Sequence, residues 1–313
     1  MTDEQRNSRV MVANAPVSFG AFEVTVGVNP NVPAGTDVLD AVARAGYEGI
    51  DLGPPGYLGT VDELPGRLTE RGLRLAGGYV ALPFSQPHAL PAAIRDLEAL
   101  LDSFDAAGSP PDGAPRPRPT LADAGSDARR AAPGLAQRNR SLGLDDAGWA
   151  QLAKGVAQAV EVCRRRGYEP TFHHHAGTYV EAPWEIEELL RRTEVGLCLD
   201  TGHLLLGGGD PVRAINEWGF RINHVHLKDV RLPVVEALVR EQAPMMEVWQ
   251  RRAFCPLGEG DLALDAVLEA LKTRHYQGWL VVEQDIIPAP GDPADRAARD
   301  QVRNRAFLRA RGV

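Results

Sequence analysis

Residues 195–203 read VGLCLDTGH, an apolar run that stops abruptly at Asp200 and His203. Ahead of it lies APWEIEELLRR, from Ala182, with apolar residues at helical spacing. Behind it lie PVRAINEWG, again helical, and INHVHLKDV (222–230), a second apolar run closed by histidines and charge. The same unit recurs in both directions. Upstream, a helical segment from about Asp146 to Arg166 leads into EPTFHHH (169–175). Downstream, LALDAVLEALKTRHY leads into GWLVVEQD (278–285), and a final Ala- and Arg-rich helix ends the chain.

The first half follows the same rhythm, with strand-like runs VMVANA (10–15), EGIDLG (48–53), LRLAGGYVAL (73–82) and PTLADAG (119–125). Between them the spacing predicts three helices. The first has Thr36 as its N-cap and stops at Gly46, the second opens on the capping box Thr60–Glu63 and closes at Gly72, and the third covers 92–104. The Pro/Gly-rich residues 106–118 read as an exposed loop. Short strands alternating with helices imply a parallel sheet, and eight such units imply a closed (β/α)8 barrel, with 1–313 as a single domain. An open doubly wound sheet is the alternative, but no GxGxxG follows the first strand.

Composition narrows the function. The chain has 313 residues, 44% of them hydrophobic, and a net charge of −8, which disfavours nucleic acid as a partner. No apolar run approaches a membrane span, and the polar start MTDEQRNSRV carries no signal-peptide core. Cys163, Cys198 and Cys255 form no CxxC and read as reduced thiols, so a cytoplasmic location is expected. Assembly is left open, a homo-oligomer included.

In a barrel of this kind the active site lies at the C-terminal ends of the strands. Those ends carry His173, His174 and His175, then Asp200 and His203, then His224, His226 and Lys228, then Glu283 and Asp285, which places six of the eight histidines at one mouth. A lone histidine is more often a packed residue than a ligand. Imidazoles grouped with carboxylates, however, are the donors that Mn²⁺, Co²⁺ or Zn²⁺ take. Strand alternation puts His173 and His175 on one face and His174 on the other, and pairs His224 with His226. Asp200 and Glu283 each close an apolar run, where an unpaired carboxylate would be costly.

The order LDTGH, HVHLKDV, PLGEGDL and GWLVVEQD resembles the xylose-isomerase-like barrel superfamily. FHHHAGT, with His173, His175, Gly177 and Thr178 as an HxHxGT element, is most similar to inosose dehydratases. NAPVSFGAFE and GYEGIDLGPPGYLG extend the likeness to the early strands. The resemblance implies one divalent ion, Mn²⁺ or Co²⁺ with Zn²⁺ or Mg²⁺ as alternatives, held by Asp200, His226 and Glu283. The strand-five Glu of the wider family is absent here, and His173 stands in its place. His175 and His203 are then the acid/base candidates, and Lys228 holds a substrate oxygen.

Phe19, Phe22 and Tyr57 are candidates for an apolar substrate wall, and Asp229 and Glu259 for further substrate contacts. Core packing, helix capping and plain turns are the competing explanations of these residues. The tail of strand eight, IIPAPGDPADR, offers no nest of N–H groups for phosphate, so a neutral keto-polyol is the expected substrate. Polarising its ketone acidifies the neighbouring C–H, which leads to dehydration or, with reprotonation on the opposite face, to epimerisation. A DNA-repair endonuclease would need more ligands and a basic groove. A dead barrel used for binding is hard to square with an intact Asp200, His226 and Glu283.

Overall fold

The computed structural model describes residues 10–108 and 114–313. Eight parallel strands close into a barrel: β1 (Val10–Asn14), β2 (Gly49–Asp51), β3 (Arg74–Leu82), β4 (Arg118–Asp123), β5 (Thr171–His173), β6 (Gly196–Asp200), β7 (Ile222–Leu227) and β8 (Gly278–Val282). Closure is made by β8 on β1, in register from Val10 opposite Gly278 to Asn14 opposite Val282. The architecture is the (β/α)8 barrel that the alternation implies.

Period two decides which residues meet. Val12, Ile50, Phe172, Leu197, Leu199, Val225, Leu227, Leu280 and Val282 pack outward, in one core with Val38, Leu39, Val156, Ile186, Ile215 and Val267 of the surrounding helices. The alternate positions belong to the barrel interior. Near the base these are apolar, with Met11, Ala13, Trp279 and Val281 in a cluster of their own. Gly49 makes room there, since a Cβ at that position would lie 2.7 Å from the Trp279 ring. Higher up, the same parity delivers Asp51, His173, Asp200, His226 and Glu283 to the mouth.

The local signals mostly act as read. Gly46 ends the helix Gly35–Ala45 in the left-handed region at φ 82°, and Thr60 and Glu63 exchange their capping-box hydrogen bonds at 2.9 and 3.3 Å. Three details differ. The helix expected to start on Thr36 has Ala34 at its N-cap, with no side-chain cap. The expected loop is shorter, because the helix Leu90–Ala107 runs into it and β4 begins at Arg118. Residues 109–113 of that stretch lie outside the described residues, while 114–117 tuck toward the base, where Trp279 Nε1 donates to the Pro115 carbonyl at 3.3 Å. Finally, the connection from β7 to β8 contains, ahead of the expected helix Leu264–Thr273, two more helices, Leu232–Glu241 and Met245–Gln250, and a ribbon pairing Asp229–Val230 with Phe254–Cys255. No periodicity had suggested these elements.

Candidate active site and metal centre

Each residue of DTGH has a separate task at the end of β6. Asp200 caps the helix Thr201–Leu206, with Oδ1 accepting the His203 N–H at 2.8 Å, which leaves Oδ2 to face the barrel axis. The Thr201 hydroxyl donates to the Lys228 carbonyl and accepts from the Lys228 N–H, both at 2.8 Å, and so fixes the end of β7. Gly202 leaves space for the Lys228 stem, because a Cβ there would lie 2.8 Å from its methylenes. The His203 side chain then reaches the same ammonium, with Nε2 at 3.3 Å from Lys228 Nζ.

HxHxGT works similarly after β5. His174 turns away from the mouth and accepts the Asp200 N–H on Nε2 at 3.2 Å. The Thr178 hydroxyl donates to the His175 carbonyl at 2.8 Å, within a turn that passes through Gly177 at φ 78°. His175 Nδ1 lies 2.8 Å from the Ala176 carbonyl, to which it can only donate, so Nε2 carries the ring's lone pair.

Donor atoms of His173, Asp200, His226 and Glu283 all lie within 4.8 Å of one another, on four successive strands. His173 Nε2 is 3.3 Å from Asp200 Oδ2, and His226 Nδ1 is 3.1 Å from Glu283 Oε2. Asp200 Oδ2 and both ring nitrogens of His226 are buried without a hydrogen-bond partner. Burial holds His173 below the usual histidine range, leaving its imidazole neutral as ligation requires. Burial opposes a charge on His226, but Cys198, Glu283 and Asp200 outweigh it and hold this imidazole well above the histidine range, so an ion here displaces its proton. With that exchange, two imidazoles and two carboxylates fit a divalent transition ion.

Lys228 stands beside this quartet. Its Nζ is 3.2 Å from Asp200 Oδ2, 3.0 Å from Glu283 Oε2 and 2.8 Å from Asp285 Oδ1. Burial opposes its charge, but the three carboxylates outweigh that and hold it well above the lysine range. Asp285 is pushed up to about 6, first by burial and then by Glu283, against the pull of Lys228. Burial, with His173 and Lys228 adding to it, brings His175 down to about 3.

A cavity of about 170 Å³ opens above this floor. That is close to the roughly 150 Å³ that houses one benzene ring. Its roof is apolar, made by Pro16, Val17, Pro54 and Phe22, with Phe22 stacked on Trp249 at 4.6 Å between ring centroids. Tyr79 adds a wall, edge-on to His173 at 5.9 Å. Among the described lining residues Lys228 is the only Lys or Arg, and carboxylates surround it.

The structure thus brings together His173, His175, Asp200, His203, His226, Lys228 and Glu283. It does not bring the other four candidates to the cavity. Phe19 is buried in the main core, and Tyr57 donates its hydroxyl to the Pro33 carbonyl at 2.7 Å beneath an early loop. Both carboxylate oxygens of Asp229 are taken by the N–H groups of Val230, Gly258, Gly260 and Leu262 at 2.8–3.0 Å, which folds PLGEGDL into place. Glu259 faces outward and pairs with Arg231 and Arg303. Conversely, the cavity uses Asp51, Tyr79, Trp249 and Asp285, which had no assigned role. Asp51 and Asp285 end strands and were open to the strand-end rule; Trp249 sits on a helix that no pattern announced.

A family model described as a xylose isomerase-like TIM barrel matches residues 39–310, and the chain belongs to that family. The inosose dehydratase of Geobacillus kaustophilus (strain HTA426) is 30% identical over 298 residues, 89% of this chain and 88% of that one. The inosose dehydratase of Clostridium tetani (strain Massachusetts / E88) is 34% identical over 165 residues, 51% of this chain and 55% of its own length, so this chain spans about half of that relative. Among solved structures, the IOLI protein with a binding zinc atom shares the fold at a TM-score of 0.69 and 12% identity, over 96% of this chain and 99% of that one. With such relatives the chain is an enzyme.

Proposed function

We propose that the chain is a metal-dependent hydro-lyase that removes water from a cyclic keto-polyol such as 2-keto-myo-inositol. The observation that carries this reading is the buried quartet His173, Asp200, His226 and Glu283 at the floor of a ring-sized cavity, in a chain with a relative, aligned over 88% of its length, named an inosose dehydratase. The quartet would hold one divalent ion, Mn²⁺, Co²⁺ or Zn²⁺, which supplies Lewis acidity toward a ketone and its neighbouring hydroxyl.

The protein groups divide the remaining work. The stacked Phe22 and Trp249 meet the C–H face of the ring, while His175 Nε2, with its lone pair, accepts from a ring hydroxyl. Asp285, poised at about 6 beside His203, removes the proton next to the ketone. The electron pair released from that C–H bond forms the enolate. It then returns to expel the hydroxyl on the next carbon, which departs as water when Asp285 gives the proton back. Lys228 holds the negative charge of the floor in balance throughout. With no other Lys or Arg among the described lining residues, a neutral substrate fits better than a phosphorylated one.

Incubating metal-reconstituted protein with 2-keto-myo-inositol in D₂O tests this. An enedione absorbance and a product lighter by one water are expected. A product of unchanged formula with deuterium at one inverted carbon would make the enzyme an epimerase instead. No conversion at all would remove inosose as the substrate.

A further inference from the structure

We infer that Lys228 occupies a second cation site, built by His175, His203 and Asp285, and that this one side chain keeps the centre mononuclear. The inference rests on reading the neighbouring quartet as the resident metal centre. Donor atoms of His175, His203 and Asp285 lie within 4.8 Å of one another, each on the segment that follows a different strand, beside the quartet and without sharing a residue with it. Two imidazoles and a buried carboxylate oxygen, Asp285 Oδ1, make a ligand set like that of a half-open transition-metal site.

The position is filled by the chain itself. Lys228 Nζ is 2.8 Å from Asp285 Oδ1 and 3.3 Å from His203 Nε2, and it also reaches Asp200 Oδ2 at 3.2 Å and Glu283 Oε2 at 3.0 Å. It therefore bridges the two clusters as a second metal ion would. Phe254 closes it from the side, with Nζ 4.9 Å from the ring centroid. Charge explains why an ammonium suffices. The carboxylates of Asp200, Glu283 and Asp285 are neutralised by one divalent ion together with Lys228, whereas losing the ammonium leaves a buried carboxylate uncompensated. A divalent ion entering at His175, His203 and Asp285 would replace the missing positive charge, with one unit in excess.

The test is metal stoichiometry, which does not depend on turnover. Purified wild-type protein, Lys228→Ala and Lys228→Gln are stripped with chelator, incubated with excess Mn²⁺ or Zn²⁺, desalted and analysed for bound metal. One ion per chain is expected for wild type and two for both variants, returning to one when Asp285→Asn is added to Lys228→Ala. A variant count that stays equal to wild type overturns the inference, and so does a wild-type protein that itself takes two ions. That last measurement stands even if neither variant folds. A wild type that binds none while Lys228→Ala gains one would sink the quartet as a metal centre and keep the second site; zero in both would sink the two together.

Discussion

The His203 N–H donates to Asp200 Oδ1 at 2.8 Å, so the carboxylate that ends β6 also caps the helix that follows it. One oxygen is spent on structure and the other is left, buried and without a hydrogen-bond partner, for a cation. The two functions can be separated by substitution. Asp200→Asn keeps a capping oxygen and Asp200→Ala does not, while neither keeps the charge. Both are expected to lose most bound metal, and Ala is expected to be less stable than Asn by about 1 kcal/mol in chelator. Elemental analysis and urea denaturation check this; equal stabilities would mean the cap contributes nothing.

His174 is the structural histidine of the three. It is buried, lies off the cavity and accepts the Asp200 N–H at 3.2 Å. His174→Ala should cost about 1–3 kcal/mol of stability by leaving that N–H unsatisfied. His173→Ala and His175→Ala should instead lower kcat/KM by about 10²–10⁴. Steady-state kinetics on the three variants decide it. Inactivity confined to His174→Ala would shift the assumed register of β5 by one residue.

Asp229 is expected to act on stability. It accepts four backbone N–H groups, and each hydrogen bond to a charged group is worth about 1.5–3 kcal/mol. Asp229→Ala should lose at least about 3 kcal/mol and expose residues 256–262 to protease. Glu259→Ala, whose pairs are at the surface, should change stability by no more than about 0.5 kcal/mol. A stable, protease-resistant Asp229→Ala protein with a raised KM would return Asp229 to the substrate.

Asp123 links stability to pH. Burial pushes its carboxyl up from 3.8 to about 6, against the Gly125 and Tyr179 N–H groups that donate to Oδ1. The fold therefore favours the protonated form. This contribution is present in full below pH 3.8 and is lost as pH rises through about 6. At about 1.4 kcal/mol per pKa unit, the swing is about 3 kcal/mol at most. Asp123→Asn should flatten the stability profile across that window. Denaturation midpoints measured from pH 4 to 7 would refute this if wild type and variant ran parallel.

The sequence by itself determined the barrel and the floor of its mouth. Apolar runs of four to six residues, each followed by a helical stretch, leave few other ways to bury both faces of a sheet. Period-two alternation then forces His173, Asp200, His226 and Glu283 onto the inward side once the strands are placed. Tertiary structure decided everything that depends on what a loop does after leaving a strand. Asp229 comes one residue after Lys228 at the end of β7, yet the glycines of PLGEGDL fold back onto its carboxylate and draw it out of the cavity. Tyr57 and Phe19 lie on loops above the barrel, but one finds a carbonyl and the other the core. Trp249 reaches the roof from a helix between β7 and β8, where it meets Phe22 of the loop after β1, the strand that closes the ring against β8. Strand periodicity is a local property of the backbone and can be read in order along the chain. Which loop side chain meets which partner is a long-range packing outcome, and only the closed barrel specifies it.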